Sequence, residues 1–169
     1  MASLSQLATL LLCTFFCCCQ SDLIADVCSK ATNPSLCTQV LKSDPRTSGA
    51  DLLGLGQIII EKSITATNDT LAVAKSFSGG NNTGAVDVCS ETCIDAVDDL
   101  HDCSQWLKDF DGSESSKSDL KTKGSAALTN VETCDDAFEE SGGEPPQVKE
   151  ASEKAKDLID VFLVVANSL

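Results

Sequence analysis

Glu91, Asp95, Asp98 and Asp102 follow one another at steps of four, three and four residues, with Asp99 and Trp106 at the edge of the same row. That spacing places them on one face of a helix. Five carboxylates of one sign with no lysine among them before Lys108 repel one another along that face. Paired carboxylates can serve as acid and base in glycoside hydrolysis. These lie opposite an apolar row, on the side a helix turns to water, where ionised side chains are ordinary. A single imidazole, His101, is the only other acid–base candidate. There is no G-x-S-x-G, no H-E-x-x-H and no glycine-rich phosphate loop, since Gly54-Leu-Gly56 falls inside a helical stretch. The chain is therefore expected not to be an enzyme and to need no cofactor. The chemistry its acidic row does offer is recognition: a carboxylate rim beside the one tryptophan suits a basic protein surface.

The thiols are the second reactive set, and their role depends on compartment. From Leu4 to Cys19 the chain carries no charge and is rich in Leu and Phe, yet the run is short for a bilayer crossing. Residues 1–21 read as a signal peptide cut near Ser21, leaving a mature domain over 22–169 and an extracellular destination. Cleavage removes Cys13, Cys17, Cys18 and Cys19 and leaves Cys28, Cys37, Cys89, Cys93, Cys103 and Cys134. In a secreted chain these are disulfide candidates first. Cys28 and Cys37 would close a short loop, contributing about 2.5–3 kcal/mol. A Cys89–Cys134 bond would contribute about 4 kcal/mol, and Cys93, one turn from Cys89 on the same face, leaves Cys93–Cys134 as a rival. Cys93 and Cys103 cannot pair within one straight helix, where they stand about 15 Å apart, and read as buried thiols. With C-x3-C on a helix and no second ligand pair, no metal site is expected. Asn68-Asp-Thr70 and Asn81-Asn-Thr83 are sequons for N-glycosylation, compatible with secretion.

All charge lies in the mature part, so its formal net charge is −14. That balance repels nucleic acid and anionic membranes and attracts a basic partner.

These residues need helices to position them, and the rest of the chain is patterned accordingly. A short helix over about 22–31 and another from Pro34 to about Lys42, with Asn33 as N-cap, form a hairpin. A turn at Ser43-Asp44-Pro45-Arg46 precedes a long helix from about Ser48, its expected cap, to Phe77. The next helix spans about Ala85 to Lys108, where Cys89, Cys93, Ala96, Leu100, Cys103 and Leu107 form a clear apolar stripe. A fourth, capped by Ser116 or Ser118, carries Leu120, Gly124, Ala127, Val131, Cys134 and Phe138 inward. A last one covers about Gln147 to Asn167, with Val148, Ala151, Ala155, Leu158, Phe162 and Val165 inward. No segment sustains period-two alternation. The expected fold is all-α: an up-and-down four-helix bundle preceded by an N-terminal helical hairpin.

Several stretches resemble the plant invertase/pectin methylesterase inhibitors: Asn33-Pro-Ser-Leu-Cys37, Ser43-Asp-Pro-Arg46, Asp51-Leu-Leu-Gly-Leu-Gly-Gln57, Cys89-Ser-Glu-Thr-Cys-Ile-Asp-Ala-Val97 and Thr133-Cys-Asp-Asp-Ala-Phe138. The resemblance spans essentially the whole mature chain. It implies disulfides Cys28–Cys37 and Cys89–Cys134, with Cys93 standing where a tyrosine is usual. It also implies a one-to-one complex in which the bundle covers an enzyme's cleft, by a chain expected to be monomeric beforehand. Contact positions of the pectin methylesterase inhibitors match Glu91, Asp95, Asp98 and Thr133. The invertase inhibitors often carry Pro-Lys-Phe between the second and third bundle helices, where this chain has Asp109-Phe-Asp-Gly-Ser-Glu-Ser. Pectin methylesterase of the cell wall is thus the expected partner, acid invertase the alternative, and a secreted helical protein without an enzyme target the third reading.

Overall fold

The computed structural model describes residues 23–169, and the expected signal peptide at residues 1–21 lies outside the described residues. Helix α1 is seen over residues 23–29, and α2 runs Pro34–Ser43. Asn33 starts α2 as anticipated: its side-chain oxygen accepts the Leu36 N–H at 3.1 Å, and Pro34 fills the first helical position. A 3-10 turn over Pro45–Thr47 follows, built on the buried Asp44. The Asp44 carboxylate accepts the Arg46 backbone N–H at 3.0 Å and the guanidinium at 2.8 and 3.0 Å, with Lys62 at 3.2 Å. The guanidinium hydrogen bond above all holds the Asp44 carboxyl well below the usual carboxylate range.

Four long helices complete the chain: α3 Leu52–Ser76, α4 Thr83–Lys108, α5 Glu114–Glu140 and α6 Pro146–Ser168. Two of their caps differ from expectation. Helix α3 is capped by Asp51, whose carboxylate accepts the Gly54 N–H at 2.8 Å, and not by Ser48. Ser48 is still part of the preceding turn, and Gly49 then takes a φ of 92°, so the helix cannot begin sooner. Helix α5 is capped by Ser113 rather than Ser116 or Ser118. Ser113 Oγ accepts the Ser116 N–H at 3.1 Å, while the Ser116 hydroxyl donates to Asp111 at 2.7 Å, which draws Ser116 inside the first turn.

Helix α4 packs most extensively on α5 and α3 on α6; α3 also meets α4, and α5 meets α6, closing a ring of four around an interior of two apolar clusters. Leu55, Ile59, Leu100, Leu120, Val131, Leu158 and Phe162 are fully or almost fully buried there. Two glycines allow the close approach. A Cβ on Gly124 would lie 2.9 Å from Phe162 Cε1, and one on Gly56 would lie 2.7 Å from Leu107 Cδ2. Helix α3 also buries Ser63, Thr67 and Thr70, whose hydroxyls donate to carbonyls one turn back at 2.9–3.0 Å and so enter the core satisfied. The α1–α2 hairpin is tied to α6 by the Thr32 N–H on Asp160 at 2.7 Å and the Asn33 amide on Asp157 at 2.8 Å. No helix among the described residues is long and apolar enough to cross a membrane.

Two disulfides fasten this arrangement. Cys28–Cys37 closes the hairpin, and Cys89–Cys134 joins α4 to α5 with Cα atoms 4.1 Å apart. Cys93, the rival, is left as a buried thiol 3.8 Å from Cys89 Sγ, and Cys103 is a second buried thiol. Burial pushes both thiols up to about 12, which keeps them protonated and unreactive at neutral pH. Replacing Cys89 and Cys134 together by alanine is expected to lower unfolding free energy by about 4 kcal/mol, and Cys28 with Cys37 by about 3 kcal/mol, in urea titrations of the oxidised proteins.

Candidate functional site

Helix α4 carries the acidic row. Its inward side is fully apolar: Cys89, Cys93, Ala96, Leu100, Cys103 and Leu107 are all buried. Burial of that stripe fixes the rotation of the helix, and rotation fixes what points outward. Glu91, Asp95, Asp98 and Asp102 are exposed, and Asp99 is half-buried at the edge facing α5. From Glu91 to Asp102 the row covers about 16 Å.

The row is not free of cations, as its sequence had suggested. Lys123 of α5 reaches across, its Nζ 2.8 Å from Asp99 Oδ1 and 3.1 Å from Asp102 Oδ2. The Asn130 amide adds a hydrogen bond to the other Asp99 oxygen at 3.3 Å. The Asp99 bond, and then that to Asp102, raises the Lys123 ammonium above the ordinary lysine range. The clamp divides the row in two. Asp99 and Asp102 are compensated, whereas Glu91, Asp95 and Asp98 make no ion pair with any described residue.

Among the described residues, the exposed large hydrophobic side chains are Val88, Ile94 and Trp106, at 40, 49 and 37 % exposure, and all belong to α4. Val88 precedes Asp95 by seven residues and Trp106 follows it by eleven, two and three turns along the same face. Apolar side chains therefore stand at both ends of the carboxylate row. Beside Trp106 lies a recess of about 170 Å³ lined by Asp109, Ser116 and Asp119. Thr133 is half-buried on α5, its hydroxyl donating to Thr129 O at 2.8 Å, and the adjoining Cys134–Cys89 bond draws its turn alongside the turn of Glu91. His101 is exposed on α4 and joins no cluster.

The sulfur atoms of Cys89, Cys93 and Cys134 lie within 4.8 Å of one another. Two of them are bonded together, so only Cys93 retains a thiol and the trio offers no thiolate set for a metal. Of the sequon asparagines, Asn68 is exposed within α3 with its amide donating to Ile64 O at 2.9 Å, and Asn81 is exposed in the 3-10 turn Gly80–Asn82.

The sequence profile of the plant invertase/pectin methylesterase inhibitors matches residues 22–165. The chain belongs to this family. It is 36% identical over 154 residues to the pectinesterase inhibitor of Actinidia deliciosa, covering 89% of this chain and 80% of that one. It is 29% identical over 150 residues to pectinesterase inhibitor 2 of Arabidopsis thaliana, covering 86% and 83%. The solved structure of mutant form A of a pectin methylesterase inhibitor from Arabidopsis shares the fold at a TM-score of 0.73 and 22% identity, covering 86% of this chain and 96% of that one. Membership makes the chain one of the enzyme inhibitors, not an enzyme.

Within this family member, Glu91, Asp95 and Asp98 share one exposed surface, and the staple brings the turn of Thr133 beside it. Lys123, Val88 and Ile94 are the parts of that surface sequence spacing did not reveal. Lys123 stabilises the α4–α5 seam while its ammonium is charged, fully below the ordinary lysine value and progressively less as pH climbs above it. Lys123→Met is therefore expected to melt below wild type at pH 7, by a margin that narrows in 1 M salt and closes at strongly alkaline pH. Parallel melting curves of the two proteins check this.

Proposed function

We propose that this chain is secreted to the cell wall as a monomer and inhibits pectin methylesterase, forming a one-to-one complex in which the α4 face covers the enzyme's active-site cleft. The observation that carries the reading is the uncompensated trio Glu91, Asp95 and Asp98 set between exposed apolar side chains on one helix. Three carboxylates without an internal partner keep their full field for an incoming basic surface. Such a field raises association rates and selects orientation. Val88 and Trp106 supply what charge alone lacks, apolar area that excludes water once contact is made. Thr133, on the adjoining helix, widens the same contact. Inhibition follows from occlusion: a rigid bundle seated over the cleft leaves no path for a polymeric substrate.

The relatives named as pectinesterase inhibitors favour this enzyme over acid invertase. The two disulfides fit an oxidising compartment, and Asn68 and Asn81, both exposed, are proposed to carry N-linked glycans.

Replacing Asp95 and Asp98 together by lysine is expected to weaken inhibition of pectin methylesterase by roughly 100-fold or more. The melting temperature should stay near wild type, because both residues are exposed and bear no internal ion pair. Full inhibition by this variant in a demethylesterification assay would remove the α4 face from the contact. A parallel assay with acid invertase tests the target: wild-type protein should leave it active, and inhibition of invertase alone would reverse the assignment. Enzymatic release of N-glycans should convert Asn68 and Asn81 to aspartate in peptide maps of protein from the secretory pathway.

A further inference from the structure

Where the chain turns from α5 into α6, two carboxyl groups line one groove. Asp135 directly follows the stapled Cys134. Glu144 sits in the reversing turn, after Gly142 and Gly143 at φ of 120° and 121° and before Pro145, the N-cap of α6. Asp135 Oδ1 and Glu144 Oε1 are both buried and neither has a hydrogen-bond donor among the side chains and backbone around it. Both residues line one groove, and Asp135 is among the groups that raise the Glu144 carboxyl. The second Asp135 oxygen is already engaged, accepting from the Lys156 ammonium of α6.

Ionised carboxylates only accept, so two such oxygens buried in one groove each lose a hydrogen bond, and their charges repel. One proton between them cures both defects. We propose that Glu144 and Asp135 share a proton, forming a latch that binds the α5–α6 turn to the bundle in acid and opens as the medium becomes neutral to alkaline. In the closed state a string runs from the Glu144 hydroxyl to Asp135 and from Asp135 to Lys156, joining turn, α5 and α6.

The surroundings favour the closed form. Helix α5 adds Glu132, Asp136 and Glu139 to the same groove of about 430 Å³, while α6 sets Glu153 against Lys149 and Lys156. Across the bundle, the Asp135 charge reaches the Cys93 thiol of α4, on which Lys75 of α3 acts in the opposite sense. Carboxylates outnumber the two lysines of the groove, so a further negative charge on Glu144 is resisted. Burial first, then the bond to Asp135 and its charge, push the Glu144 carboxyl up to about 7, with Lys156 and Lys149 pulling the other way. Because the folded value is raised, the stabilising effect of the latch is complete below the ordinary glutamate range and is lost as pH rises through about 7. This inference does not depend on which enzyme the chain inhibits.

Glu144→Gln tests it, since glutamine keeps a donor toward Asp135 at every pH. Wild type is expected to lose melting temperature relative to E144Q between about pH 4.5 and pH 7, with little further loss above that. Over the same range, amide exchange at residues 142–144 should accelerate roughly tenfold beyond the intrinsic pH effect in wild type but not in E144Q. Parallel profiles for the two proteins would overturn the latch. Should E144Q fold poorly, carbon NMR titration of the wild-type carboxyls decides: a Glu144 midpoint near 7 supports the shared proton, and one in the ordinary glutamate range refutes it.

Discussion

The seam between α4 and α5 is the constraint on which the rest of the structure depends. The Cys89–Cys134 bond holds the two backbones 4.1 Å apart between Cα atoms. Cys93, Ala96 and Cys103 of α4 and Ala127 of α5 are all buried, and the Cys103 thiol donates to Leu120 O of α5 at 3.8 Å. Close approach lets Lys123 span to Asp99 and Asp102, so one contact sets helix spacing and local charge together. It also fixes the roll of α4. A helix free to rotate by a third of a turn would bury carboxylates, at several kcal/mol each for an unpaired charge, and the sulfur bridge forbids it.

Most of the architecture was legible because it follows from period. The stripe Cys89 to Leu107 has no competing interpretation, and every member is buried. Helix α3 was harder to read, since Ser63, Thr67 and Thr70 look like a polar face. They occupy core positions because a hydroxyl that bonds the carbonyl four residues back presents mainly a methyl or methylene to its neighbours. Caps were the weakest reading for a local reason. Ser48, Ser116 and Ser118 are all chemically suited to cap, and the choice fell to Asp51 and Ser113 through Gly49 and Asp111, which sequence spacing does not weigh. Within the site, α4's own contribution was visible, but Lys123 was not. Its partnership with Asp99 depends on the register between two helices, a quantity no single helix encodes. The pairing of Cys134 was open for the same reason, until the family resemblance pointed to Cys89.

The placement of the few cations is informative in a chain of net charge −14. Arg46 and Lys62 gather at Asp44, Lys123 at Asp99 and Asp102, and Lys156 at Asp135. Asp44, Asp99 and Asp135 expose little of their side chains, and there an unpaired charge would be costly. Exposed Asp26, Glu61 and Asp102 also meet a cation, but water solvates such groups without one. The trio on α4 is among the exposed carboxylates that no cation of the described residues pairs with.

Leaving that trio bare has a definite but small cost. Like charges one turn apart on a helix destabilise it by about 0.2–0.5 kcal/mol per pair, so Glu91, Asp95 and Asp98 together oppose α4 by about 1 kcal/mol or less. The crosslink that joins α4 to α5 contributes about 4 kcal/mol through the unfolded chain alone. The difference in scale explains how α4 holds an unfavourable charge pattern without local neutralisation: its helical state is secured from the opposite face. A basic surface that docks there adds its attraction to three charges already held in place, while their small mutual repulsion is the same before and after contact and so does not oppose association.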